Sequence, residues 1–342
     1  MVPIDLEKLR REPRCIASLT PRQINEAKKQ AFKARVDRFG SVLHCHAPGF
    51  SGIPYGTESF VASRGVFESI SITGASCMLQ CDHCRGHLLQ TMRHANPGNF
   101  EGVLRAVIAS GATGVLVSGG SGKDGKVPIR PCIDVLRLAK KQHDIDVVIH
   151  SGLMDDDEIH ALRGTGIDGV MFDFPGSAET IKAVCHLDTV PEDYARMVTT
   201  CKENGIPVMP HVIIGLDWGK IKGELDALSM LGKLKPDVLV IVILMPFPGT
   251  PMADVVPDID QVEIMVLAAR ILNPDIPVQL GCAKPQGDFK ERVERFAVEC
   301  GFNGIAYPIE ETVARARELG LEPVFHGDCC SLVAKHMREA RS

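Results

Sequence analysis

The chain has 342 residues, 45% of them hydrophobic, which is enough to build one large barrel domain or two ordinary domains around a buried core. Its formal net charge of -5 offers no general attraction to nucleic acid or to an anionic membrane, and so disfavours both as partners. Met1 to Arg14 lacks a signal-peptide core, and the longest apolar run, Val238 to Met245, is too short to span a bilayer. The twelve cysteines therefore point to metal chemistry in a reducing, cytoplasmic compartment rather than to disulfides.

In chain order, Thr20-Pro21-Arg22-Gln23 predicts a capped helix running to near Gly40, an N-terminal cover. Leu43 to Phe50, followed by a Gly/Pro-rich stretch to Gly56, reads as a loop carrying His44, Cys45 and His46. A strand over Val66 to Thr73 leads into Cys77-Met78-Leu79-Gln80-Cys81-Asp82-His83-Cys84, with the spacing C-x3-C-x2-C. Beyond it, buried strands alternate with amphipathic helical segments: Gly114–Ser118, Asp146–His150, Asp168–Asp173, Pro207–Gly215, Val238–Met245, Pro277–Cys282 and Asn303–Tyr307. Counted from Val66 these make eight, which predicts an α/β chain folded as a (β/α)8 TIM-type barrel. The alternative is a partial six-strand β/α barrel with a C-terminal extension. The expected organisation is an N-terminal cover and Cys45 loop over 1–65, the barrel over 66–310, and a C-terminal helix with a cysteine-containing tail over 311–342.

Three thiolates on one tight loop can cap three irons of a four-iron cube and leave the fourth open to chelate a small molecule. A zinc knuckle is the competing reading of these cysteines, although no second C-x2-C pair lies nearby. At these residues the chain resembles the radical S-adenosylmethionine superfamily, whose signature is C-x3-C-x2-C after the first strand of a β/α barrel. The resemblance implies that Cys77, Cys81 and Cys84 hold a [4Fe-4S] cluster. In that family the open iron binds S-adenosylmethionine, which one electron cleaves to a 5'-deoxyadenosyl radical, and the resemblance implies the same here.

Further cofactor contacts are expected where strands end. Ser118-Gly119-Gly120-Ser121 resembles the family's Gly-Gly segment, which hydrogen-bonds the amino group of S-adenosylmethionine, with Ser121 where that family often has an acidic residue. His83 matches a position that contacts adenine. His211-Val212-Ile213-Ile214-Gly215 resembles the fifth-strand segment that packs against adenine, and Ile213 is equally readable as core. Asp173 reads either as a contact to the ribose or methionyl end or as a turn and helix cap before Pro175. Asp155 to Glu158 reads as a helix cap with an acidic first turn rather than a metal site.

Three softer segments narrow the resemblance to the biotin-synthase-like branch and within it to the two-protein lipoyl synthases: Leu244 to Met252 with its Pro-Gly-Thr-Pro turn, Ser69 to Gly74, and Gln279 to Pro285. That resemblance implies sulfur insertion into an octanoyl chain, with a second radical SAM subunit and an octanoylated lipoyl-domain protein as partners and an external electron donor. It also implies a second iron-sulfur cluster, for which Cys45, Cys282, Cys329 and Cys330 are the candidate ligands. Cys185, Cys201 and Cys300 read as small apolar residues on helices. Two other functions stay open: an enzyme of the same branch that donates no sulfur, and a zinc or electron-transfer iron-sulfur protein.

Overall fold

The computed structural model describes residues 4–49, 55–58, 60–62 and 66–339. Eleven strands lie in one sheet: β1 (Val42–His46), β2 (Phe67–Ser71), β3 (Arg93–His94), β4 (Gly114–Ser118), β5 (Asp146–His150), β6 (Gly169–Asp173), β7 (Val208–Ile214), β8 (Leu239–Ile243), β9 (Val278–Leu280), β10 (Gly304–Ala306) and β11 (Glu322–His326). Their order is β11-β1-β10-β9-β8-β7-β6-β5-β4-β2-β3, and every pairing is parallel. All eight strands expected from Val66 onward are present, and β2 with β4 to β10 sit side by side in chain order, as in a TIM-type wall. The sheet curls as a half-barrel whose hydrogen-bonding edges are β3 and β11.

Two strands correct the reading of the ends. Val42–His46 is not a loop. It is inserted between β10 and β11, with His44 and His46 in register with Gly304 and Ala306. Gly304 permits this approach, since a Cβ there would lie 2.3 Å from the His44 carbonyl oxygen. β11 carries Pro323, tolerated because an edge strand need not donate on both sides.

The core has two parts, set by the two-residue alternation of the strands. Val115, Val117, Val147, Ile149, Val170 and Phe172 face the helices outside the sheet. Phe67, Val148, Met171, Met209, Val240 and Ala306 face inward, where they meet Cys329, Cys330, Leu332 and Val333 of the tail. The tail thus fills the inside of the curl, and each buried aliphatic there contributes about 1.5–3 kcal/mol. Lys335, on the last described helix (Val333–Glu339), pairs with Asp146 at the start of β5.

Preceded by a short helix, Leu6–Arg11, the helix expected after Thr20 is Pro21–Phe39. It opens with a Thr20/Gln23 capping box and stops at Gly40, whose φ is +80°. It packs on the outer helices Ile259–Leu272 and Asp288–Cys300. Lys28 on this helix pairs with Glu299, which also meets Arg295 and Arg315. Asp155 caps Asp156–Leu162 in a capping box with Glu158, as the acidic run suggested. Among the described residues no helix is long and apolar enough to cross a membrane.

Candidate functional site

The loop after β2 is built by its own backbone and by the end of β4. Gly74, Gln80, Arg85 and Gly86 take positive φ, which folds the three cysteines into successive turns, and the Cys84 and Arg85 amides both donate to the Cys81 carbonyl. The loop is seated on the glycine segment. The Met78 amide donates to the Ser121 carbonyl at 2.8 Å, the Cys77 thiol lies 3.9 Å from that same oxygen, and the Gly120 amide donates to Thr73 Oγ1 at 2.7 Å. Thr73 Oγ1 in turn donates to the Ser76 carbonyl at 2.9 Å. A Cβ on Gly120 would lie 2.0 Å from Ser76 O, so only glycine allows this seat. Thr73 was not singled out as a site residue in the sequence; its only signal there is a hydroxyl at the end of the expected strand.

All three loop cysteines are free and half-buried. The Cys81 thiol reaches the Cys185 carbonyl at 3.7 Å, and hydrogen bonding with the Cys185 side chain heads the causes raising its pKa. Cys84 is pushed up to about 12, first by hydrogen bonding with Cys81 and then by burial. Thiols crowded in this way, with no disulfide, fit a group that takes them as thiolates, such as an iron-sulfur cluster. His83 Nδ1 is buried without a hydrogen-bond partner, the kind of orphaned atom a bound ligand satisfies.

The structure brings His83, Asp173 and His211 together. Burial lowers the His83 pKa, but Cys84 and then Asp173 oppose it and the net shift is upward. Asp173 and His211 are register partners on β6 and β7. The His211 pKa falls to about 4, through burial first and then His150, whose ring centroid is 5.8 Å away. The helix after β6 is capped by the Ser177 side chain, so Asp173 is not its cap. Ile213 is half-buried, two residues beyond His211 on the same face of β7.

Two other residues are committed to structure. Ser118 Oγ donates to the His150 carbonyl at 2.9 Å. Gly215 has φ +83°, its amide donates to Glu224 at 2.8 Å, and a Cβ there would lie 2.6 Å from Pro257. Gly119 is likewise closely packed, with Thr73 3.1 Å from a Cβ position.

Of the four candidate second-cluster cysteines, three converge. Cys282 is exposed and lies within electrostatic reach of Cys329 and Cys330, and Tyr307 feels all three. Cys330 donates to Cys329, which lowers the Cys329 pKa and raises that of Cys330. Buried Lys284 steadies the Cys282 loop by donating to the Gly281 and Ala306 carbonyls at 3.0 and 2.7 Å and pairing with Glu294 at 3.4 Å. Cys45 is the exception and a correction to the expected set. Alternation along β1 turns it away from His44 and His46 into the outer core, where burial pushes its thiol up to about 12.

No protein-family model matches the chain. A biotin synthase of Gluconacetobacter diazotrophicus is 25% identical over 272 residues, covering 70% of this chain and 77% of the relative. A biotin synthase of Pseudoalteromonas translucida is 22% identical over 273 residues, covering 74% and 77%. Among solved structures, methylornithine synthase aligns at a TM-score of 0.64 and 13% identity over 94% of this chain and 97% of its own. By sequence the chain is thus similar to biotin synthases, and by fold to methylornithine synthase. HydG, a maturase of the FeFe-hydrogenase, aligns at a TM-score of 0.65 and 14% identity, over 98% of this chain and 76% of its own. At such identities the structural likeness speaks to the fold.

Proposed function

We propose that the chain is a radical S-adenosylmethionine enzyme that inserts sulfur into an octanoyl chain carried by a lipoyl-domain protein, working with a second radical SAM subunit and an external electron donor. The observation that carries this reading is the seat of the cysteine loop on Gly119, Gly120 and Ser121. It puts three free thiols beside backbone polar groups at the ends of β2 and β4. Bound by Cys77, Cys81 and Cys84, a [4Fe-4S] cluster supplies an open iron for the methionyl end of S-adenosylmethionine and the electron for its cleavage.

The remaining tasks fall to this chain's own groups. The glycine segment meets the amino group, His83 and Ile213 flank the adenine, and Asp173 accepts hydrogen bonds from ribose hydroxyls while His211, neutral near pH 7, lies beside it. Cys282, Cys329 and Cys330 supply ligands for a second, sulfur-donating cluster, and hydrogen bonding from Cys330 holds the Cys329 thiol below its ordinary pKa.

The test is anaerobic incubation with reductant, S-adenosylmethionine and an octanoylated lipoyl-domain peptide, with and without the partner subunit, read by mass spectrometry and iron analysis. The expected result is 5'-deoxyadenosine together with sulfur added to the octanoyl chain. Cleavage without sulfur transfer, at about four irons per chain, would instead indicate an enzyme of the same branch that donates no sulfur. Zinc without iron would reject both.

A further inference from the structure

A second cluster of ligand-type side chains has no part in the chemistry above. His46, the last residue of β1, meets Asp328 and His336 of the tail. His46 Nδ1 is 2.9 Å from Asp328 Oδ1, and His336 Nε2 is 2.6 Å from Asp328 Oδ2. One donor atom from each of the three lies within 4.8 Å of the others, the only such group found among the described residues. His326 stacks on His336 with ring centroids 3.8 Å apart, and His44 Nδ1 reaches His326 Nε2 at 3.0 Å.

Hydrogen bonding alone leaves this cluster incomplete. His46 is fully buried, and its Nε2 has no partner. Four imidazoles crowd around Asp328, and Glu339 meets His336 Nδ1 at 3.5 Å. Pairing with Asp328 accounts for two of the rings, not for the gathering of all four. Two imidazoles and a carboxylate on one small space are a nitrogen and oxygen donor set of intermediate hardness, which suits zinc, cobalt or ferrous iron and is unlike the thiolate loop.

We propose that His46, Asp328 and His336 form a mononuclear site for a divalent transition-metal ion, with His326 and His44 as the outer imidazoles that orient it. The ion ties the tail to β1, joining residues 282 positions apart in sequence. It therefore holds in place the segment that fills the inside of the curl.

The probe is Co2+, added to the full chain after anaerobic iron-sulfur reconstitution and removal of loosely held metal, and followed by calorimetry and visible absorption. Expected is one Co2+ per chain, with ligand-field bands and no intense sulfur-to-cobalt charge transfer. Binding should weaken at least about 100-fold in Asp328→Asn and in His336→Gln, more than loss of an outer-shell partner alone typically costs. The Cys329→Ser/Cys330→Ser double variant should keep it, which separates this site from any cluster at those thiols. Circular dichroism checks that each variant is folded. Sulfur charge transfer, no stoichiometric Co2+ in the wild type, or unchanged affinity in both folded site variants would overturn the proposal. None of these readouts depends on cleavage of S-adenosylmethionine.

Discussion

Gly120 lies against Cys77 with no room for a side chain: a Cβ on Gly120 would fall 2.5 Å from Cys77 Cα. The end of β4 therefore fixes where the cysteine loop can sit. Gly120→Ala should displace that loop, at a cost of about 1–3 kcal/mol for an overpacked contact. Iron content after reconstitution and the rate of 5'-deoxyadenosine formation should fall together while the barrel stays folded. Wild-type values for both would mean that the seat is not needed.

Replacing Cys77, Cys81 or Cys84 with alanine removes one of three thiolates from a loop with no spare at its own positions. Each variant should lose reductive cleavage of S-adenosylmethionine and about four irons per chain. Iron analysis and chromatography of the nucleoside product check this. Full cleavage activity in any of the three would remove that cysteine from the ligand set.

Asp173 faces His211 across β6 and β7 and influences His83 on the cysteine loop, yet it belongs to no cap. Asp173→Asn should leave iron content unchanged and weaken cofactor binding, with cleavage at subsaturating S-adenosylmethionine reduced about 10- to 100-fold, the worth of one or two charge-assisted hydrogen bonds. Equilibrium binding of S-adenosylmethionine to the reconstituted protein separates this from loss of the cluster.

Glu299 joins three outer elements, through Lys28, Arg295 and Arg315. Burial alone would raise its pKa, but these cations outweigh it, and the carboxyl is held below its ordinary value of 4.5. A carboxyl depressed in the folded state stabilises the fold above its unfolded pKa, and that stability is lost as pH falls through the folded value. Stability should therefore decline below about pH 4.5 in the wild type, with a shallower slope in Glu299→Gln. At pH 7 the variant should be less stable by about 1–2 kcal/mol. Denaturant titrations across pH 3 to 7 measure both effects.

The wall of the barrel was legible because β4 to β10 are short apolar runs buried on both faces, and the cysteine loop because its spacing is local. β1 was not, since His44, Cys45 and His46 break the apolar pattern and gain burial only from distant strands. β11 was masked by Glu322 and Pro323, which an edge position tolerates. The same distance hid the gathering of His46, Asp328 and His336: residues separated by nearly the whole chain leave no spacing to read. Cys45 was misassigned because a strand, unlike a loop, sends adjacent side chains to opposite faces.

The place of β1 between β10 and β11 has a consequence for biosynthesis. His44 and its contact His326 are 282 residues apart, so β1 leaves the ribosome with neither of its neighbouring strands yet made. At about 5–20 residues per second it waits on the order of tens of seconds with both edges unpaired. During that interval it is open to pairing with other chains. Slowing the last part of translation should lengthen the exposure and lower the soluble yield, whereas mixing a separately made N-terminal segment with the remainder should favour recovery by strand insertion.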